Sequence, residues 1–366
     1  MTGPLKGLRV VEIAGIGPGP FACMMLADHG AEVIRIDRAD HRSVAWRGEN
    51  IQDVLNRSRR RMTADLKTPE GLAIVRKLVA TADVLIEGFR PGVMERLGLG
   101  PDDLIAINPK LVYGRMTGWG QTGPYAQAAG HDVNYVALSG LLHAIGRKDE
   151  PPVPPLNLVG DFGGGAMMLV FGVLAAVIHA RQGGDGQVVD CSMSEGSALL
   201  GGLFHANQAQ GVWQDERGSN LVDGGAHFYD VYETADGKYV SIAAIEPQFY
   251  ALLRNKLGIA DDPDFDDQME ESHWPALKPK VAAIFKQKTR DAWCAVLEHS
   301  DACFAPVLSL AEARTHPHNV ARQVFVEVNG VPQPAPAPRY SKTLTDAPWF
   351  ATEDSTDDIL REIRDR

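Results

Sequence analysis

Cysteine is scarce in this chain and falls into no pattern. Cys23, Cys191, Cys294 and Cys303 are the four among 366 residues. They make no C-x-x-C pair and no Cys/His metal spacing, which argues against a zinc framework or a dithiol redox centre. Reduced structural thiols of a cytosolic protein are expected. Basic charge is also short: 36 Lys and Arg against 47 Asp and Glu leave a net charge of −11. A nucleic-acid partner would want a basic face, so any anionic ligand has to be held by a local cluster of cations. The longest apolar run, residues 166–178 with Gly172 inside, falls short of the roughly 20 residues a bilayer span needs. It reads as a buried helix. The chain runs from Met1-Thr2-Gly3-Pro4-Leu5 into a strand with no basic-then-apolar leader, so a cytoplasmic location and no membrane span are expected.

What is present is ordinary globular material, 45% hydrophobic and 23% charged, with length enough for two domains. Leu8–Ala14, Glu32–Asp37, Asp83–Glu87 and Leu111–Met116 are apolar, β-branched stretches that read as buried strands. Helical stretches at Phe21–His29 and Gly71–Thr81 lie between them. Strands and helices alternating at this spacing predict a Rossmann-like, doubly wound parallel sheet, with its ligand beyond the carboxyl ends of the strands. The pattern changes after Ser192. A hairpin at Phe228–Glu233 and Tyr239–Ala243, turning at Ala235-Asp236-Gly237-Lys238, precedes helices near 247–257, 275–288 and 290–299. This predicts a smaller α+β domain at 225–310. The large domain is expected at 1–200 and 316–366, with linkers at 201–224 and 311–315. The proline-rich stretch 331–338 should run extended over a surface, ahead of a charged tail.

Two glycine-framed segments carry the chemistry: Gly130-His131-Asp132-Val133-Asn134-Tyr135, and residues 157–165 around Asp161 with Gly160, Gly163, Gly164 and Gly165. A histidine and an acid of this kind supply a two-base proton transfer, one removing a proton from a carbon while the other returns it to the opposite face. Taken singly they are an exposed loop histidine and an aspartate at a helix start. The first turn, Gly15-Ile16-Gly17-Pro18-Gly19-Pro20, invites a dinucleotide reading. Yet Pro20 stands where a third Gly or Ala belongs, and Pro18 and Pro20 remove two N–H donors from the turn. Arg38, Arg59-Arg60-Arg61, Lys67, Arg90 and Arg96 follow neighbouring strands and suggest a grip on a polyanionic cofactor tail; a solvated basic face has the same composition.

These segments, with Thr63-Ala64-Asp65-Leu66-Lys67, Ala82–Val93 and Gly118-Trp119-Gly120-Gln121-Thr122-Gly123-Pro124, resemble family III CoA transferases over nearly the whole chain. His131, Asp161 and the segment 243–250 match the α-methylacyl-CoA racemase branch of that family. The resemblance implies an interlocked homodimer acting on an acyl-CoA thioester. No metal and no cofactor is needed, CoA being part of the substrate. It further implies that His131 and Asp161 are the bases and that Glu246 of the partner's small domain orients His131. Arg38, Ala64, Lys67, Arg90, Arg96, Gly130, Asp132 and Tyr135 would line the CoA and substrate site. The acyl group would lie on a Met- and aromatic-rich surface, and backbone N–H groups at the helix start near Asp161 would meet the enolate charge. Two other readings stay open: a CoA transferase forming covalent intermediates on Asp161, and a silent acyl-CoA-binding protein. Ile16 and Gly17 replace the glutamine that transferases such as formyl-CoA transferase carry in the first turn, and Ile245-Glu246-Pro247 replaces their glycine-rich lid. Residues 39–56 and the tail match no motif that bears on substrate.

Overall fold

The computed structural model describes residues 2–38, 53–351 and 355–364. Residues 39–52, most of the stretch without an assignable role, lie outside these. The chain divides into two compact units. One comprises residues 1–139, 155–201 and 323–366, the other residues 140–154 and 202–322.

The first unit is built on six parallel strands in the order β3-β2-β1-β4-β5-β6: β1 (Arg9–Ile13), β2 (Glu32–Asp37), β3 (Arg60–Thr63), β4 (Val84–Glu87), β5 (Val112–Thr117) and β6 (Val188–Ser192). Side chains alternate across a strand, so each strand feeds two cores. Val10, Val33, Val84 and Val112 meet helix α1 (Pro18–Asp28) and the long helix Leu158–Arg181 on one face. On the other, Val11, Ile34, Leu85 and Tyr113 meet α2 (Pro69–Val79), α4 (Pro101–Ile107) and Ile359 of the C-terminal helix Thr356–Arg364. The four strands read from sequence are present. The edge strand β3 was not legible, because Met62 is its one fully buried side chain and no alternation shows. Helix α1 starts at Pro18, ahead of the expected Phe21, since proline in a first turn forfeits only an N–H that has no partner there anyway.

Charge is buried inside this sheet. Glu12, in mid-β1 and 1% exposed, accepts from Arg35 on β2 at 2.7 Å and from Arg59 at 2.5 Å. Arg59 also donates to the carbonyls of Pro20 and Leu55, while Arg35 and Arg61 both pair with Asp37. Arg60 is shared between Glu32 and Glu362. The Arg59–Arg61 run is therefore consumed by the fold rather than presented to an anionic ligand, a correction that follows from β3 pairing with the acidic β2.

The apolar run read as a short buried helix is part of a longer one. It winds as a π-helix over Leu158–Met167 and as an α-helix over Met168–Arg181. Among the described residues it is the one helix long and apolar enough to cross a membrane, with 39% of its apolar window buried. Leu169, Val173 and Val177 face the sheet core, while Met167, Phe171 and Ile178 are exposed. The helix is thus buried along one side, not all round.

In the second unit β7 (Tyr229–Glu233), β8 (Tyr239–Ala243) and β9 (Phe304–Val307) form an antiparallel sheet, the first two being the expected hairpin. Helices Pro247–Leu257, Trp274–Phe285 and Arg290–Leu297 close over Phe228, Tyr250, Phe265, Phe285 and Trp293. Beyond Gln323 the chain returns to the first unit. Val331–Pro334 pairs antiparallel with Phe325–Val328, so the extended proline-rich stretch is half of a small hairpin, and the charged tail is the helix Thr356–Arg364.

His227 lies in the core of the second unit, 1% exposed, with Nε2 on the Tyr250 hydroxyl at 2.7 Å. Burial first, then the Lys278 cation, pushes its pKa down from 6.5 to about 4. The unfolded chain therefore binds a proton between those values that the folded chain does not, and stability rises with pH through that window. Lowering the pH from 7 to 4 should cost up to about 3 kcal/mol from this group. Denaturant unfolding of wild type and His227→Gln across pH 4–7 checks it: the substitution should flatten that part of the slope.

Candidate active site

Because all six strands of the first unit run parallel, the segments after them gather at one edge of the sheet. Gly15–Gly17 follows β1, Arg38 follows β2, Ala64 and Lys67 follow β3, and Arg90 and Arg96 follow β4. Trp119 and then Gly130–Tyr135 follow β5. The order 3-2-1-4-5-6 reverses direction between β1 and β4, the topological switch point where doubly wound sheets bind ligands.

His131 is exposed at the N-cap of α5 (Asp132–Leu138), where its own N–H donates to Asn134 Oδ1 at 3.0 Å. Asp161 is half-buried in the first turn of the long helix. Its N–H donates to Asp132 Oδ1 at 2.6 Å, and its Oδ2 accepts from Asn157 at 3.3 Å. Burial raises the Asp161 pKa above the usual carboxylate range and the Asp132 charge adds to it; the Asn157 hydrogen bond and the His131 imidazole pull the other way. The His131 imidazole is thus near enough for its charge to act on the Asp161 carboxyl. Asp161's own N–H, however, is taken by Asp132, so among the donors expected at this helix start it is not free to meet an enolate.

The glycines make room. Gly17 has φ +68, and a Cβ there would stand 3.1 Å from Asp161 Oδ2. The first turn thus abuts a carboxylate, which would repel a pyrophosphate. A Cβ on Gly130 would meet Tyr135 and Trp119 at 2.8 and 3.0 Å. Tyr135, 7% exposed, donates its hydroxyl to the Gly130 carbonyl, and the Trp119 ring packs on it edge-on at 4.8 Å. Burial, then the charge of Asp161, raises the Tyr135 pKa. Phe162 stacks on Phe21 of α1 at 4.3 Å, one apolar wall near the acid.

The candidate anion grip divides into two sets. Arg38, Lys67, Arg90 and Arg96 are exposed, and among the described residues none of their side chains is held in an ion pair. Local devices place them: Glu87 accepts the Phe89 N–H at 2.7 Å where β4 ends, Gly92 takes a left-handed φ of +82, and Asp65 accepts the Lys67 N–H at 3.0 Å. Ala64 is buried, its N–H donated to the Asp37 carbonyl. Among the described residues no group of three or more His, Cys, Asp or Glu side chains is arranged for a metal. Glu246 belongs to the second unit, exposed at the N-cap of Pro247–Leu257, with its carbonyl accepting from Phe249 and Tyr250. Sequence reading missed the Asp132–Asp161 tie, whose signal is the glycine at 160 beside the acid.

A six-stranded parallel sheet with a glycine-framed His/Asp pair at its carboxyl edge, followed by a smaller α+β unit, defines the class as a doubly wound α/β protein. The chain belongs to CoA-transferase family III, matching that family over residues 5–354. It is 47% identical to the alpha-methylacyl-CoA racemase of Mus musculus over 93% of this chain and 87% of that one. Against the alpha-methylacyl-CoA racemase of Homo sapiens identity is 45%, over 91% and 86% respectively. Among solved structures, a CaiB/BaiF family protein from Brucella suis superposes with a TM-score of 0.84 at 28% identity, covering 99% of this chain and all of that one.

Gly17 can be tested for its role in making room for the acid. Gly17→Ala forces a Cβ into a left-handed residue beside Asp161 and should cost about 1–2 kcal/mol. Gly19→Ala, inside α1 with no heavy atom within 4 Å of the new Cβ, should be neutral or stabilising by up to about 1 kcal/mol. Thermal unfolding of the two variants reads the contrast directly.

Proposed function

We propose that this chain is an α-methylacyl-CoA racemase, interconverting the (R) and (S) forms of a 2-methylacyl-CoA by moving the α-proton through an enolate. The observation that carries the reading is the His131–Asp161 pair: an exposed imidazole whose charge acts on a half-buried carboxyl with a raised pKa, both at the carboxyl edge of the sheet. The racemases at 45–47% identity support it. In one direction His131 takes the α-proton and the C–H pair becomes the enolate. Protonated Asp161 then donates to the opposite face, leaving imidazolium and carboxylate. That state is the one the reverse reaction starts from, so solvent exchange on the two bases resets the enzyme. The raised proton affinity of Asp161 suits the second task.

Arg38, Lys67, Arg90 and Arg96, exposed at the carboxyl edge and paired with no acid among the described residues, would take the phosphates and adenine of CoA; Ala64, Gly130 and Tyr135 would shape its path. No cofactor beyond the substrate's own CoA enters this scheme. We infer a homodimer in which Glu246 of one protomer orients His131 of its partner, as an acid does in hydrolase triads. Large apolar side chains left exposed on the first unit support an apolar partner surface, among them Phe171 at 75%, Leu156 at 75% and Leu199 at 68%. Free thiols suit a reducing cytoplasm.

Incubation of pure (R)-2-methylacyl-CoA in heavy water should give a near-equal mixture of epimers with deuterium at the α-carbon, followed by NMR. Movement of CoA to a second carboxylic acid without α-exchange would replace the reading with a transferase, and binding without either would make the chain a silent acyl-CoA binder. For the dimer, inactive His131→Ala and Glu246→Ala proteins are mixed under conditions of subunit exchange. Both lesions then fall in one composite site and the other is whole, so part of the activity returns. A site made within one chain gives no recovery.

A further inference from the structure

The sequence reading placed Asp132 among the side chains that line the substrate, but its carboxylate is 7% exposed and turned to the backbone of Asp161. Three observations bear on it. First, the amides at the start of a helix have no acceptor within the helix. Asp161, the fourth residue of a helix wound wide from Leu158, finds one in Asp132 Oδ1 at 2.6 Å, a charge-assisted distance. Second, the contact exists because residue 160 is glycine: a Cβ there would stand 2.6 Å from Asp132 Oδ1 and 3.1 Å from its carbonyl oxygen. Third, Asp132 Oδ2 is buried with no hydrogen-bond partner among the described residues. An unsatisfied buried acceptor typically costs about 1–3 kcal/mol, and an asparagine could cap the same amide without the charge. The fold gains no hydrogen bond from Oδ2 among the described residues.

The charge is spent on a neighbour. Among the described residues, the titratable groups that face the Asp161 carboxyl are His131, Asp132 and Tyr135, all from α5 or its cap. The first turn and α1 bring Gly17, Pro18 and Phe21, which carry no charge, and the helix Met193–Leu200 brings Met193 and Ser197 against Gly165 and Gly164. Asp132 is therefore the anion beside Asp161.

Building on the racemase reading, we propose that Asp132 is a positioning residue that pins the Asp161 amide across the gap at Gly160 and so holds the Asp161 carboxyl at its face of the acyl α-carbon. Its negative charge also favours the protonated acid on Asp161, the form that must deliver a proton in one direction.

Three variants test this. Asp132→Ala removes both acceptor and charge, and kcat should fall on the order of 10²-fold, the cost of misplacing a reacting group by about 1 Å, with KM little changed. Gly160→Ala leaves Asp132 in the chain but drives a methyl against its carboxylate, and kcat should fall in the same way. Asp132→Asn keeps the acceptor: most of kcat should return, the limb of the pH profile that titrates with Asp161 should move to lower pH, and Tm should not drop. Wild-type kcat in Asp132→Ala overturns the proposal, as does an unshifted profile in Asp132→Asn. A rise in KM with kcat intact overturns it too, since Asp132 would then be a substrate contact. The racemase reading fails separately, by absence of α-deuteration in the wild type. In that case amide hydrogen exchange at Asp161 still reads the bond, slow in wild type and fast in Asp132→Ala if the contact is as described.

Discussion

The buried Glu12 carboxylate organises the first unit. An ionised acid in the middle of a parallel strand is tolerated only when cations reach it, and Arg35 and Arg59 do so from β2 and from the residue before β3. Satisfying Glu12 fixes more than one ion pair. The same Arg59 guanidinium holds the carbonyls of Pro20 and Leu55, and so ties the first turn of α1 to the sheet. The start of α1 places Gly17, and the absence of a side chain at Gly17 makes room for the Asp161 carboxyl. A chain of contacts thus runs from the sheet interior to its carboxyl edge. Breaking one member would leave a charge stranded, which is why such networks act as a unit.

This network also separates two kinds of cation that look alike in sequence. Arg59, Arg60 and Arg61 lie against the acids of β1, β2 and the C-terminal helix and are neutralised there. Arg38, Lys67, Arg90 and Arg96 come after strands have ended, and among the described residues no acid pairs with them. In a protein of net charge −11, unspent cations gathered at one edge create a local field opposite in sign to the rest of the surface.

Most of the architecture was legible because period and punctuation agree. Leu8–Ala14, Glu32–Asp37, Asp83–Glu87 and Leu111–Met116 are largely apolar runs with a glycine within two residues of one end, and each became a strand within a residue or two. Legibility failed where burial follows from pairing rather than from apolarity. Met62 alone signals β3, and Phe304–Val307 is a half-buried strand with a proline inside. His131 and Asp161 could be found since glycine and a titratable group coincide. The tie between Asp132 and the Asp161 amide was missed, because a backbone N–H donating to a distant side chain leaves no periodic trace, only the lone glycine at 160. The extent of the long helix was hidden by Gly160 and Gly163–Gly165, which lower helix propensity. Its first turns are held by close packing instead: a Cβ on Gly196 would fall 1.8 Å from the Gly164 carbonyl.

The first unit is assembled from three stretches of chain, the last beginning at Gln323. Arg57 binds Asp28 within the first stretch, but its remaining donors go to Gln333 and the Pro334 carbonyl, and Ser58 donates its N–H to Trp349. Thr2 is likewise fastened to Asp346. On a ribosome these acceptors emerge long after β1 to β6 and after the entire second unit. The sheet must therefore wait, partly stapled, while an intervening unit folds on its own, and the closing of its outer edge becomes a late event set by the length of that loop.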